Sequence, residues 1–253
     1  MFGREKLATL VAEFLGAGVL TFLVLSIYYS QLSLPYFASL ATGLAFAGLM
    51  LAWGKFSGAV YNPAVAIGLW TVRKLTTLAT VLYVVFEFLG SWVAVELFKY
   101  IFNTKLQTVQ GHYSSRILVD VAFAVFVLVM VWAAGLHQKM SRGALAATVG
   151  LGMFAAMLLA SVSSMALLNP AAALFVLSTK GWVWETYVLG AVVGSVVAFN
   201  LYTLVFDEEG LTFIKSIKIT TTTASVAPAT KAVAKKKPAK RSSTSSKSKK
   251  SRR

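Results

Sequence analysis

The tripeptide Asn-Pro-Ala occurs twice, as Asn62-Pro63-Ala64 and Asn169-Pro170-Ala171, with the two Asn residues 107 positions apart. Proline has a preset φ and no N–H, so it is favoured in the first turn of a helix. Asn directly before it is a good cap, because its side-chain oxygen takes one of the free N–H groups of that turn. The amide NH₂ is then left as a donor. Two such helix starts facing each other would present two fixed donors and two positive dipole ends to one spot. That is chemistry for orienting a small polar molecule, not for breaking bonds. The chain has no Cys and only two His, His112 and His137. This excludes a disulfide scaffold, a thiolate metal site and a Cys nucleophile, and leaves too little for a His-rich metal centre. No nucleotide-binding loop, catalytic triad or metal cluster is present, so the reading is a protein that is not an enzyme and needs no cofactor.

The elements that must position these triplets are membrane helices. Hydrophobic residues make up 57% of the 253 and charged residues 13%, about half the roughly 25% charged of soluble domains. The net charge of +15 is localised: residues 215–253 hold 13 Lys/Arg and no Asp/Glu, whereas residues 1–214 carry a net +2. A bilayer core needs about 20 mostly apolar residues per helix. Six segments meet or approach this: Leu7–Tyr28, Phe37–Trp53, Leu78–Phe98, Ile117–Leu136, Leu145–Val162 and Val183–Phe206. Arg4 and Lys6 precede a first run too long for a signal peptide, so the first helix is read as retained. With the N-terminus inside, Lys/Arg outside the tail divide seven inside to four outside, and the tail adds to the inside. The expectation is a multi-pass protein of the plasma or cytoplasmic membrane with both termini cytoplasmic.

Each triplet lies in an apolar stretch too short to cross and return, Lys55–Thr77 and Ser163–Trp182. Each is read as a loop followed by a half-helix starting at Pro63 or Pro170. Non-helical backbone at membrane depth is tolerated where it is buried in protein or lines a wet cavity. The chain is also duplicated. At the offset of 107, Glu13 pairs with Asp120 and Gly43-Leu44 with Gly150-Leu151; at 104, Tyr83, Gly90 and Ser91 pair with Tyr187, Gly194 and Ser195. Repeat one covers about 5–98 and repeat two about 117–206. Three spans per repeat is odd, so the repeats are inverted and their interface forms a central site. The predicted fold is all-α: six transmembrane helices plus two re-entrant half-helices. A water between Asn62 and Asn169 turns its oxygen to both donors and cannot relay a proton, and the dipole ends repel cations. Glu13 and Asp120 are costly intramembrane carboxyls, and their symmetric placement predicts that each braces a re-entrant loop by accepting backbone N–H bonds. Glu87, in the third span, reads as a protonated or braced carboxyl, or as a pore-side charge.

With two Asn-Pro-Ala triplets in inverted six-span repeats, the chain resembles the aquaporin (major intrinsic protein) family over about residues 5–206. Ala12-Glu13-Phe14-Leu15-Gly16 is similar to that family's first-helix motif, and Ser57-Gly58 and Val65 flank the first triplet as expected. The resemblance implies a homotetramer in the lipid bilayer, one pore per protomer, passing water and small neutral solutes such as glycerol or urea. It also implies a selectivity filter of aromatics and one Arg, the Arg following the second triplet. Here that position is Ala172, and the others transfer by spacing to Thr42, Met157 and Ala166, with no aromatic and no charge. Met165 stands for the usual second-loop Gly, Val60 for the His before the first triplet, and Glu87 for a Gln. The filter is therefore expected to be wide, with Lys180 or Arg116 as alternative sources of charge at the mouth. Competing readings are a non-conducting structural or adhesion protein of the same fold, and a secondary transporter using the carboxyls.

The channel domain is expected to span 1–214. Residues 215–253, rich in Thr, Ser, Ala and Lys, cannot bury a core and read as a disordered cytoplasmic tail. Ten basic residues in 235–253 make it a solvated tail, a ligand for anionic lipid, or a nucleic-acid contact.

Overall fold

A computed structural model describes residues 3–30, 34–106, 113–177 and 183–206. The tail, His112 and Lys180 lie outside the described residues. Among those described there are eight helices and no strand: α1 (Arg4–Tyr29), α2 (Pro35–Ser57), α3 (Pro63–Thr71), α4 (Thr77–Phe102), α5 (Ser115–His137), α6 (Arg142–Ala160), α7 (Pro170–Val176) and α8 (Val183–Phe206). The six long helices are apolar enough to cross a bilayer, and α3 and α7 are the half-helices. Their starts are legible in local chemistry. Pro35 opens α2, and Thr76, Ser114 and Ser141 cap α4, α5 and α6 by accepting N–H bonds. Leu44, Leu78, Val119 and Leu151 are exposed, as suits positions facing lipid.

The packing is duplicated with the sequence. Helix α1 packs on α4 and α2, and α5 packs on α8 and α6, while α2 and α6 meet across the repeats. That central contact depends on glycine: a Cβ on Gly150 would lie 2.7 Å from the Gly43 carbonyl oxygen. Small residues permit this approach of backbones.

One register differs from the sequence pairing. Buried Glu13, Gly16, Ala17, Leu20, Thr21 and Leu25 of α1 fall on buried Val121, Ala124, Val125, Leu128, Val129 and Ala133 of α5 at an offset of 108. The helix contacts agree: Gly90 of α4 abuts the Phe14 carbonyl, and Gly194 of α8 abuts that of Ala122. One residue rotates a helical position by about 100°. The structural counterpart of Glu13 is thus Val121, and Asp120 occupies the place of Ala12.

Candidate pore

The two half-helices meet at their N-termini. Asn62 Oδ1 accepts from the Ala64 N–H at 2.9 Å and Asn169 Oδ1 from the Ala171 N–H at 2.9 Å, so each side chain caps its own helix. Each amide also reaches the other repeat. Asn62 Nδ2 donates to the Leu168 carbonyl at 3.1 Å, and Asn169 Nδ2 donates to the Tyr61 carbonyl at 2.8 Å. These reciprocal bonds tie the two loops together and use one hydrogen of each NH₂, which leaves one donor per Asn. Pro63, Ala64, Pro170 and Ala171 form the buried first turns of α3 and α7.

The loops leading to the triplets share a shape. Ala59 and Ala166 both have positive φ, 61° and 52°. Ser57 Oγ and Ser164 Oγ each accept from the N–H two residues on, at 3.2 Å in both loops. What braces them differs. Glu13 is fully buried and accepts from Val60 N–H at 3.1 Å through Oε1 and from Tyr61 N–H at 2.6 Å through Oε2. The Tyr83 hydroxyl donates to the Ser57 carbonyl at 2.8 Å. In the second loop the Met165 N–H donates to the Tyr187 hydroxyl at 3.1 Å. Asp120 is only partly buried, and its Oδ2 is without a hydrogen-bond partner. The carboxyl is one residue out of the Glu13 register and one methylene shorter, so the two carboxyls do not do the same work. Glu87 lies beside Glu13, fully buried, with neither oxygen hydrogen-bonded to protein.

The four filter candidates come together. Thr42, Met157, Ala166 and Ala172 line one small cavity with Asn169. Its volume is about 30 Å³, room for about two waters at 10–15 Å³ each. Thr42, Met157 and Ala166 also line a wider cavity of about 180 Å³. The Thr42 hydroxyl donates to the Ala38 carbonyl of its own helix at 2.9 Å, so it offers the lumen an acceptor and no donor. Arg116 sits exposed in the first turn of α5.

Spacing alone missed several residues. Tyr83 and Tyr187 were visible as a repeated pair, although not as loop partners. Tyr61 is wedged against Gly16, and its hydroxyl donates to the Leu49 carbonyl at 3.2 Å. Phe46 and Trp132 stack edge to face. The signal for Phe46 was its place one turn after Thr42 on the same helix face.

Residues 3–229 match the major intrinsic protein family. Aquaporin AqpM of Methanothermobacter marburgensis is 26% identical over 187 residues, covering 67% of this chain and 76% of that protein. Aquaporin Z of Photorhabdus laumondii is 25% identical over 232 residues, covering 80% and 99%. The X-ray structure of the aquaglyceroporin from Plasmodium falciparum has the same fold, with a TM-score of 0.67 at 21% identity over 78% of this chain and 95% of that one. The six apolar spans, the paired half-helices and the match over nearly the whole chain lead to one conclusion: this is an integral membrane protein that belongs to the major intrinsic protein family, a family of channels and not of enzymes.

Proposed function

We propose that the chain is a passive pore for water and small uncharged solutes of the size of glycerol or urea. The observation that carries this reading is the reciprocal bonding of Asn62 and Asn169 at the meeting of α3 and α7, beside a small cavity lined by Thr42, Met157, Ala166 and Ala172. A solute leaving that cavity meets the remaining N–H of each Asn and turns its oxygen toward them. Two helix starts, each with a partial positive charge near half a unit, raise the energy of a cation where little water screens it. Ala172 in place of Arg supports solute passage: no guanidinium fills the lumen, and Thr42 supplies one acceptor. The names of the relatives, aquaporin and aquaglyceroporin, fit both substrate types.

The remaining parts of the reading come from charge placement in the sequence and from what the family resemblance implies. The N-terminus and the 215–253 tail face the cytoplasm, the Thr42 end of the pore faces outward, and protomers assemble as a homotetramer. The tail is solvated or meets anionic lipid or nucleic acid. The test is stopped-flow light scattering on proteoliposomes of the purified chain under sucrose, glycerol and urea gradients. Under the sucrose gradient, shrinkage faster than in protein-free vesicles is expected from water efflux; under the glycerol and urea gradients, the re-swelling that follows solute entry is expected to be faster as well. Saturable uptake driven by an ion gradient would replace the channel with a transporter, and rates equal to empty vesicles would leave a structural protein.

A further inference from the structure

The pseudo-symmetry allows each half of the pore to be read against the other. On the Thr42 side, Val24, Met153 and Met157 line the small cavity. Their counterparts in the opposite half are Trp132, by the α1–α5 offset of 108, and Phe46 and Met50, by the α2–α6 offset of 107. The first set leaves a cavity. The second set is packed shut: Phe46 is 0% exposed and Trp132 and Met50 are 2% exposed.

The ring geometry shows how. Phe46 meets Trp132 edge to face, centroids 5.6 Å apart at 81°, and Tyr61 at 5.9 Å. Helices α2 and α5 are not packing partners: α2 packs on α1 and α6, and α5 on α6 and α8. The Phe46–Trp132 contact therefore bridges the space between two lumen-facing helices rather than sealing a helix–helix seam. Phe46 also lies one turn beyond Thr42 on the face that lines the cavity. Edge-to-face rings at this separation are an attractive pair, and an apolar constriction of this kind excludes water when narrow.

We propose that Phe46 and Trp132 are the specificity-determining constriction of this channel. Selection by size has moved to the half of the pore opposite Ala172, where the rings must swing aside for a solute to pass. The inference rests on the channel reading above. It makes the Thr42 filter a permissive vestibule and the ring pair the barrier that water and larger solutes share.

The experiment uses the full chain in proteoliposomes, with Trp132→Ala, Phe46→Leu, Trp132→Leu, the filter variant Met157→Ala and the lipid-facing control Leu151→Ala. Each variant is first shown to be monodisperse and helical in detergent. Trp132→Ala is expected to raise glycerol permeability at least tenfold and water permeability severalfold. The Leu variants, which keep an apolar side chain and the fold should Trp132→Ala not fold, are expected to raise glycerol permeability severalfold. Met157→Ala, which widens the filter itself, is expected to raise glycerol permeability by less than any of the ring variants, whereas the lipid-facing control Leu151→Ala is expected to leave both permeabilities within twofold of wild type. If the wild type conducts and the ring variants match it or conduct less, or if Met157→Ala has the larger effect, the constriction is elsewhere and the channel reading stands. If neither the wild type nor any folded variant exceeds protein-free vesicles, the channel reading falls and this inference with it.

Discussion

The two re-entrant loops share a left-handed residue, at Ala59 and Ala166, and end in the same triplet, yet they are held by different chemistry. The first hangs on a carboxyl: Glu13 accepts two loop N–H bonds, and Tyr83 ties the loop from its carbonyl side. The second hangs on a phenol, Tyr187, which accepts from Met165. A carboxyl brace is the stronger device, since its two oxygens take two loop N–H bonds where the Tyr187 hydroxyl takes one. It also carries the cost of a buried ionisable group. The lesson is that inverted duplication has kept the triplet and its cap in both loops while the means of holding the loop have diverged. One residue of drift between α1 and α5 was enough to put a valine where the carboxyl stands.

The sharpest way to break this comparison is to remove each acid. Glu13→Ala leaves the Val60 and Tyr61 N–H groups buried without an acceptor, at about 1–3 kcal/mol apiece, so the variant is expected to lose about 2–6 kcal/mol or fail to assemble. Asp120→Ala removes no loop bond and is expected to stay within about 1 kcal/mol of wild type. Thermal unfolding in detergent, followed by helical circular dichroism, checks both. Equal losses for the two would mean that Asp120 braces its loop after all.

Next in size is the filter. Ala172→Arg places a guanidinium in a cavity of about 30 Å³ that has no carboxylate in its lining. Glycerol and urea permeability are expected to fall tenfold or more, with water reduced less, and any proton leak read by a pH-sensitive dye in loaded vesicles should drop. Unchanged solute permeability would show that residue 172 does not control passage.

A smaller effect separates the two tyrosines. Tyr187→Phe leaves the Met165 N–H without its acceptor, at about 1–3 kcal/mol. Tyr83→Phe deprives a carbonyl whose loop keeps its Glu13 bonds, for a loss of about 1 kcal/mol. The order is read from the same unfolding curves, and its reversal would contradict the assignment of braces.

The sequence made the architecture legible because its signals are local. Six apolar runs, Pro35, Pro63 and Pro170 at helix starts, and Ser or Thr caps each act over a few residues, and α3 and α7 begin at the two prolines. The four positions Thr42, Met157, Ala166 and Ala172 came from the family resemblance and transferred by spacing, because ungapped α2 and α6 keep their offset to the triplets; the structure sets them around one cavity. What sequence did not yield was rotation. The acidic identity of Asp120 suggested the pairing with Glu13, whereas the buried pattern of α5 sets the true register one residue on. Trp132 was equally hidden, since its correspondence with Val24 depends on that same rotation. Glu87 was conspicuous as an acid in a span, but only the structure sets it beside Glu13.

A last contrast concerns the turn into each loop. In the first repeat α2 runs to Ser57 and stops at Gly58, whose φ of 86° and ψ of −2° make it a left-handed cap, its N–H donating to the Gly54 carbonyl at 2.9 Å. A Cβ there would meet nothing within 4 Å, so Gly58→Ala pays only for the left-handed backbone, about 1–2 kcal/mol. Met165 is the equivalent residue of the second repeat, and it is not among the positive-φ positions. The reason is that α6 ends early, at Ala160, and a turn over Ser161–Ser164 closes on the Leu159 and Ala160 carbonyls instead. No left-handed cap is needed where the helix has already stopped. Met165→Gly therefore relieves no strain and adds freedom to the unfolded chain, for an expected loss of about 0.4–1 kcal/mol. Unfolding midpoints of the two variants test this, and a stabilising Met165→Gly would show that the second loop is a strained copy of the first rather than a different solution to the same turn.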